Sequence, residues 1–166
     1  MVRRALRYEL GTIVATGIVA SIIFAVFEMI AAAVLMGPGA AMMPLRMIGA
    51  IVLGPAALDP GYSLATAAMA GVIVHVTLSI LFTGIFAAIA GSTAGEFLST
   101  PGSMTLAATV FGIALWLVNF YVIAPVAGWT WFPERTNAVV QFLAHAVFFG
   151  CPVGWMLSRS RAVITV

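Results

Sequence analysis

LGTIVATGIVASIIFAVFEMIAAAVLM, residues 10–36, decides the fold class: this uninterrupted apolar run contains one charged residue, Glu28. A membrane-spanning helix needs about 20 such residues, whereas the apolar core of a signal peptide has roughly 7–15. The preceding MVRRALRYE looks like the basic start of a signal peptide, but the run is too long for one and reads as a retained spanning helix.

Working outward, three further apolar segments follow at about 63–90, 104–127 and 137–158. Of the 166 residues 63% are hydrophobic, 7% are charged and none is lysine, against about 25% charged residues in an ordinary soluble domain. Twelve charges cannot solvate the surface of a soluble globular enzyme, and the same scarcity excludes a disordered chain or a nucleic-acid partner. The expectation is an all-α polytopic membrane protein, one domain over 1–166, with four transmembrane helices in a bundle and the lipid bilayer as its partner.

Turn residues punctuate the segments. Gly37-Pro38-Gly39 ends the first, Asp59-Pro60 reads as an N-cap and first-turn proline for the second, and Gly91-Ser92-Thr93 closes it. Thr100-Pro101-Gly102 precedes the third, and Thr136 or Asn137 caps the fourth. The connection 37–62 is too apolar for a water-exposed loop, so Pro44 to Leu58 is expected as a short interfacial or re-entrant helix. Cys151, the lone cysteine, lies in an apolar stretch and reads as an inert buried thiol.

Arginines near a membrane stay on the cytoplasmic side. With four spans, Arg3, Arg4, Arg7, Arg159 and Arg161 share one side and only Arg46 and Arg135 the other, and the 91–103 loop adds none. Both termini are therefore expected in the cytoplasm, with Trp129, Trp131 and Phe132 as an aromatic anchor at the outer interface.

Few polar groups lie deep in the spans, and four matter: Glu28, His75, Asn119 and His145. In this topology both histidines sit about 10 residues, or about 15 Å, below the outer surface, and Glu28 and Asn119 reach a similar depth. HVTLSILFTG (75–84) aligns without a gap on HAVFFGCPVG (145–154), and Ser21–Glu28 on Gly112–Asn119. Two weakly repeated helix pairs would place the four groups around one central site. Ala67, Gly71, His75, Ser79, Thr83, Ala87 and Gly91 recur every fourth residue, a small-residue ridge for close helix approach; Ala146, Gly150, Gly154 and Ser158 make a comparable one beside Gln141 and His145. Gly71, Ser79, Gly150 and Gly154 are thus the expected packing positions.

Ordinary interhelical hydrogen bonding, worth about 0.6 kcal/mol per contact, also accounts for membrane histidine and asparagine. An acid within a span, at an insertion cost of about 2.5–3.5 kcal/mol, usually marks a pathway, partner or ligand, the alternative for Glu28 being a hydrated place near the outer interface. Three uses of the cluster follow: Glu28 relays a proton or binds a cation; His75 and His145 ligate a haem b iron from opposite faces; or Met36, Met42, Met43 and Met47 hold Cu(I). The methionine spacings match no copper motif and read better as gap-filling. Pro152 is expected to kink the fourth helix and free the carbonyl near Phe148. No phosphate loop, HExxH or nucleophile elbow is present, so no catalytic residue is assigned.

HVTLSILFTGIFAAIA, FGIALWLVNFYVIAP and NAVVQFLAHAVFFG together resemble YagU-like bacterial inner-membrane proteins over the second to fourth helices, about 100 residues. The resemblance carries over to His75 and His145; where that family often has a histidine in the third helix, this chain has Asn119. It implies a bacterial inner membrane. The function expected is a non-enzymatic integral membrane protein, alone, as an accessory subunit or as a homo-oligomer; the alternatives are a bis-histidine haem protein for electron transfer or anchoring, and a proton or cation carrier.

Overall fold

The computed structural model describes residues 4–93, 98, 100–160 and 162–165. Arg3 and Arg161, two of the arginines behind the orientation, lie outside them, as do residues 94–97 and 99 of the 91–103 loop.

Helix α1 (Leu10–Met36) occupies the whole apolar run and stops at Gly37, whose φ of 97° breaks the helix without steric cost. A 3-10 turn (Pro38–Ala40) leads into α2 (Met43–Leu53). The short helix expected over Pro44–Leu58 is thus two pieces, because Gly54 at φ 80° separates α2 from a second 3-10 turn, Pro55–Leu58. Arg46 on α2 staples that turn: Nε donates to Ala57 O (2.6 Å), and Nη2 to Asp59 O (2.5 Å) and Tyr62 O (2.8 Å).

Asp59 therefore belongs to this turn and is not the cap of α3 (Leu64–Thr93). That role falls to Ser63, whose hydroxyl accepts from the Thr66 N–H at 3.3 Å. Helix α4 (Pro101–Val126) starts with a capping box between Thr100 and Ser103. A short helix α5 (Trp131–Arg135) follows, and α6 (Ala138–Arg159) begins where the Asn137 side chain accepts from Val139 N and Val140 N.

Both α4 and α6 contain a π-helical segment, Asn119–Ile123 and Ala144–Gly150, and each is followed by a proline at the second position beyond it, Pro125 and Pro152. A proline lacks the N–H and crowds the carbonyl four residues back; widening the turn to i→i+5 bonding relieves this, as in Ala124 N–H to Asn119 O and Cys151 N–H to Ala146 O. At Pro152, where the sequence suggests a kink, the structure has this π-helical segment. Cys151 is half-buried, with Sγ 3.1 Å from Thr109 Oγ1.

Outside the helices, β1 (Arg4–Arg7) and β2 (Ala162–Thr165) form an antiparallel ladder, with Arg4 opposite Thr165 and Arg7 opposite Ala162. It joins the chain's two ends.

Four helices, α1, α3, α4 and α6, are long and apolar enough to cross a membrane. Their outward faces expose Ile22, Ile30, Val34, Leu81 and Val110, as hydrocarbon contact requires. Helix α3 packs on α1, α1 on α6, and α6 on α4. Gly17 brings α1 against the Ile80 backbone; Gly112 faces the His145 carbonyl, while Gly150 and Gly154 face Ala108, Thr109 and Thr105 of α4. The ridge on α3 serves two partners: Ala67 and Gly71 receive α2, through Gly49 and Leu45, and His75 meets α1.

Trp131 departs from its expected role as an interfacial anchor. It is 5% exposed, in a core with Met47, Ala50, Ala57 and Ala67, and its Nε1 donates to Met47 O at 3.1 Å. The ring fixes α5 to α2. An exposed tryptophan stands at the opposite end instead: Trp155, with the Arg159 guanidinium 4.7 Å over its ring.

Candidate functional site

A cavity of about 840 Å³ opens at the end of the protein remote from the paired strands. It lies between the upper halves of α3 and α4, against α1 and α6, under α2 and α5. Lower down, Phe86 of α3 and Phe111 of α4 meet with ring centroids 5.4 Å apart. The mouth carries Glu134, Arg135 and Asn137 together with exposed Leu35 and Met36.

Glu28, His75, Asn119 and His145 all line this cavity, and so does Ser79. Glu28 is 7% exposed; its Oε1 accepts a hydrogen bond from Nε2 of Gln141, a neutral partner. Among the described residues it has no cationic partner. Gln141 completes the cluster, and its position four residues before His145 on one helix face was the signal for it. Asn119 is half-buried; its carbonyl takes part in the π turn, and its side chain makes no hydrogen bond among the described residues.

The histidines are held in opposite senses. His75 Nε2 lies 3.0 Å from Ser21 O, and His145 Nδ1 lies 2.8 Å from Gln141 O. A carbonyl only accepts, so these ring nitrogens carry the protons. In the neutral rings, His75 Nδ1 and His145 Nε2 are then acceptors, in residues that line the cavity. Phe24 touches both imidazoles, with ring centroids 5.0 Å from His75 and 4.9 Å from His145, and Phe120 meets His145 edge-on at 5.6 Å.

This geometry does not suit axial ligation of a haem between the two histidines. His75 Nε2 is engaged by Ser21, and the Phe24 ring, in contact with both imidazoles, takes up space that a porphyrin between them would need. Among the described residues no group of three or more His, Cys, Asp or Glu is arranged to hold a metal ion. The four methionines are divided: Met47 is buried beneath Trp131, whereas Met36 and Met42 are exposed. Phe24 itself carried no sequence signal, since one more phenylalanine in an apolar run is indistinguishable from packing.

No family model, no curated protein and no solved structure matches the chain.

Proposed function

We propose that this integral membrane protein is a non-enzymatic small-molecule binding protein, acting alone, as a homo-oligomer or as an accessory subunit, with the Glu28, His75, Asn119 and His145 cluster recognising the polar part of an apolar ligand. One observation carries the reading: a buried carboxyl, bonded to a neutral amide, stands with two imidazoles in a cavity of about 840 Å³. Ligand pockets typically measure about 300–1,000 Å³ and combine apolar walls with a few convergent polar groups.

The two helix pairs form a weakly repeated bundle in this reading. Its support is that the aligned positions Ser21 and Gly112 each touch the aligned histidine: Ser21 O meets His75 Nε2, and Gly112 lies against the His145 carbonyl. The resemblance to YagU-like proteins and the arginine asymmetry support a bacterial inner membrane with both termini cytoplasmic; reporter fusions at both termini reading periplasmic would reverse the orientation.

The test is binding of a brominated hydrocarbon to the detergent-solubilised protein, read as quenching of Trp129, which lines the cavity, in a background with Trp116 and Trp155 changed to Phe, so that the other remaining indole is Trp131, outside the cavity lining. Saturable quenching that Ala32→Phe abolishes supports the reading, because Ala32 also lines the cavity. Quenching that is linear and identical in both proteins overturns it. A Soret band in the purified protein would instead favour haem.

A further inference from the structure

We propose, on the basis of the cavity-binding reading above, that the ligand is a lipophilic organic cation with an aromatic body, and that it exchanges with a proton at Glu28. The polar groups inside the cavity select for charge. Glu28 supplies an acid with no cationic partner among the described residues, and each imidazole is fixed by its backbone bond so that the nitrogen left over is an acceptor. An anion placed there would meet two acceptor lone pairs and an acid whose ionisation would add a like charge. A cation finds its complement.

The walls suit the same ligand. Phe24, Phe82, Phe120, Phe149 and Trp129 line the cavity, and aromatic faces attract a desolvated cation through the ring quadrupole. The size of the cavity admits several rings beside the charged atom.

Exchange follows from desolvation. A lone carboxylate in an apolar interior is costly, and in this proposal an arriving cation replaces the proton of Glu28 as the compensating charge. The step is Glu28–COOH plus R⁺ giving the Glu28–COO⁻···R⁺ pair plus one H⁺ released to solvent. The other titratable or charged groups around Glu28 are His75 from α3, His145 from α6, and Glu134 and Arg135 at the mouth. Helix α4 contributes neutral Asn119, and Arg46 of α2 is committed to the carbonyls of Ala57, Asp59 and Tyr62.

Calorimetric titration of the full chain in detergent with tetraphenylphosphonium, its anionic isostere tetraphenylborate and neutral triphenylphosphine oxide tests this. Buffers of different ionisation enthalpy report the protons released. The expected result is saturable binding of the phosphonium alone, with close to one proton released and affinity rising about tenfold per pH unit while Glu28 is protonated. Glu28→Gln keeps an acceptor for Gln141 and so keeps the fold; it should lower phosphonium affinity at least tenfold and abolish proton release. Equal binding of the borate or the phosphine oxide, or unchanged cation affinity and pH dependence in Glu28→Gln, overturns the cation inference while cavity binding stands. Absence of binding by all three probes, with linear hydrocarbon quenching, overturns both.

Discussion

Gln141 on α6 donates a hydrogen bond through Nε2 to Oε1 of Glu28 on α1, tying together two helices on the wall of one cavity. The bond needs an acceptor at position 28 and does not need a charge. Glu28→Gln keeps that bond and should therefore melt within about 1 kcal/mol of the parent. Glu28→Leu leaves the Gln141 amide buried without its acceptor, a loss of about 1–3 kcal/mol. Detergent melting of both variants checks the difference.

The two histidines should differ in tautomer. Ser21 O requires a proton on Nε2 of His75, and Gln141 O requires one on Nδ1 of His145. Nitrogen-15 spectra of the selectively labelled protein, at a pH where both rings are neutral, should show one ring of each kind. Two rings of the same tautomer would contradict one of the backbone contacts.

Much of this was legible in the residues, and the rest fails for identifiable reasons. An apolar run such as 10–36 has one stable solution in a bilayer, and Asn137 satisfies helix-end donors locally, so segment and cap are read from short windows. Asp59 misleads because its backbone carbonyl is claimed by Arg46, 13 residues earlier, which no local pattern reveals. Trp131 obeys a rule for membrane interfaces until α2 folds under it. The polar members of the site stand out because polarity is rare in these spans. Phe24, which touches both histidines, does not.

Close approach of α2 to α3 can be tested at a pair of glycines in α3. A Cβ at Gly71 would fall on the Leu45 carbonyl, which is backbone and cannot rotate away, whereas a Cβ at Gly84 meets only Ile13 Cγ2 at 3.7 Å, an ordinary contact. Gly71→Ala is expected to destabilise by about 1–3 kcal/mol as α2 is displaced. It should also loosen Trp131, seen as a red shift in its emission in a background lacking the other tryptophans. Gly84→Ala should be neutral or stabilising by up to about 1 kcal/mol through helix propensity. Similar melting points for the two variants would mean that α2 is not seated on α3 as described.

Thr83 offers a prediction of the opposite sign. It is fully buried in α3, one ridge step from Ser79, and its hydroxyl has no hydrogen-bond partner among the described residues, unlike Thr77 and Thr109, whose hydroxyls donate to carbonyls four residues back at 2.7 and 2.9 Å. A buried hydroxyl without a partner costs about 1–3 kcal/mol relative to an apolar group of the same shape. Valine has that shape, and its methyl would occupy the space of the oxygen without enlarging the side chain appreciably. Thr83→Val should therefore raise the melting temperature, whereas Thr109→Val, which gives up the bond to Thr105 O and the contact with Cys151 Sγ, should lower it or leave it level. Thr83→Ser keeps the unpaired oxygen and deletes a packed methyl, so it should be the least stable of the position-83 series. Melting all four proteins in one detergent gives the order. If Thr83→Val melts below the parent by 1 kcal/mol or more, the hydroxyl has a partner, a bound water or ligand group, and the polar lining of α3 continues past Ser79 to Thr83.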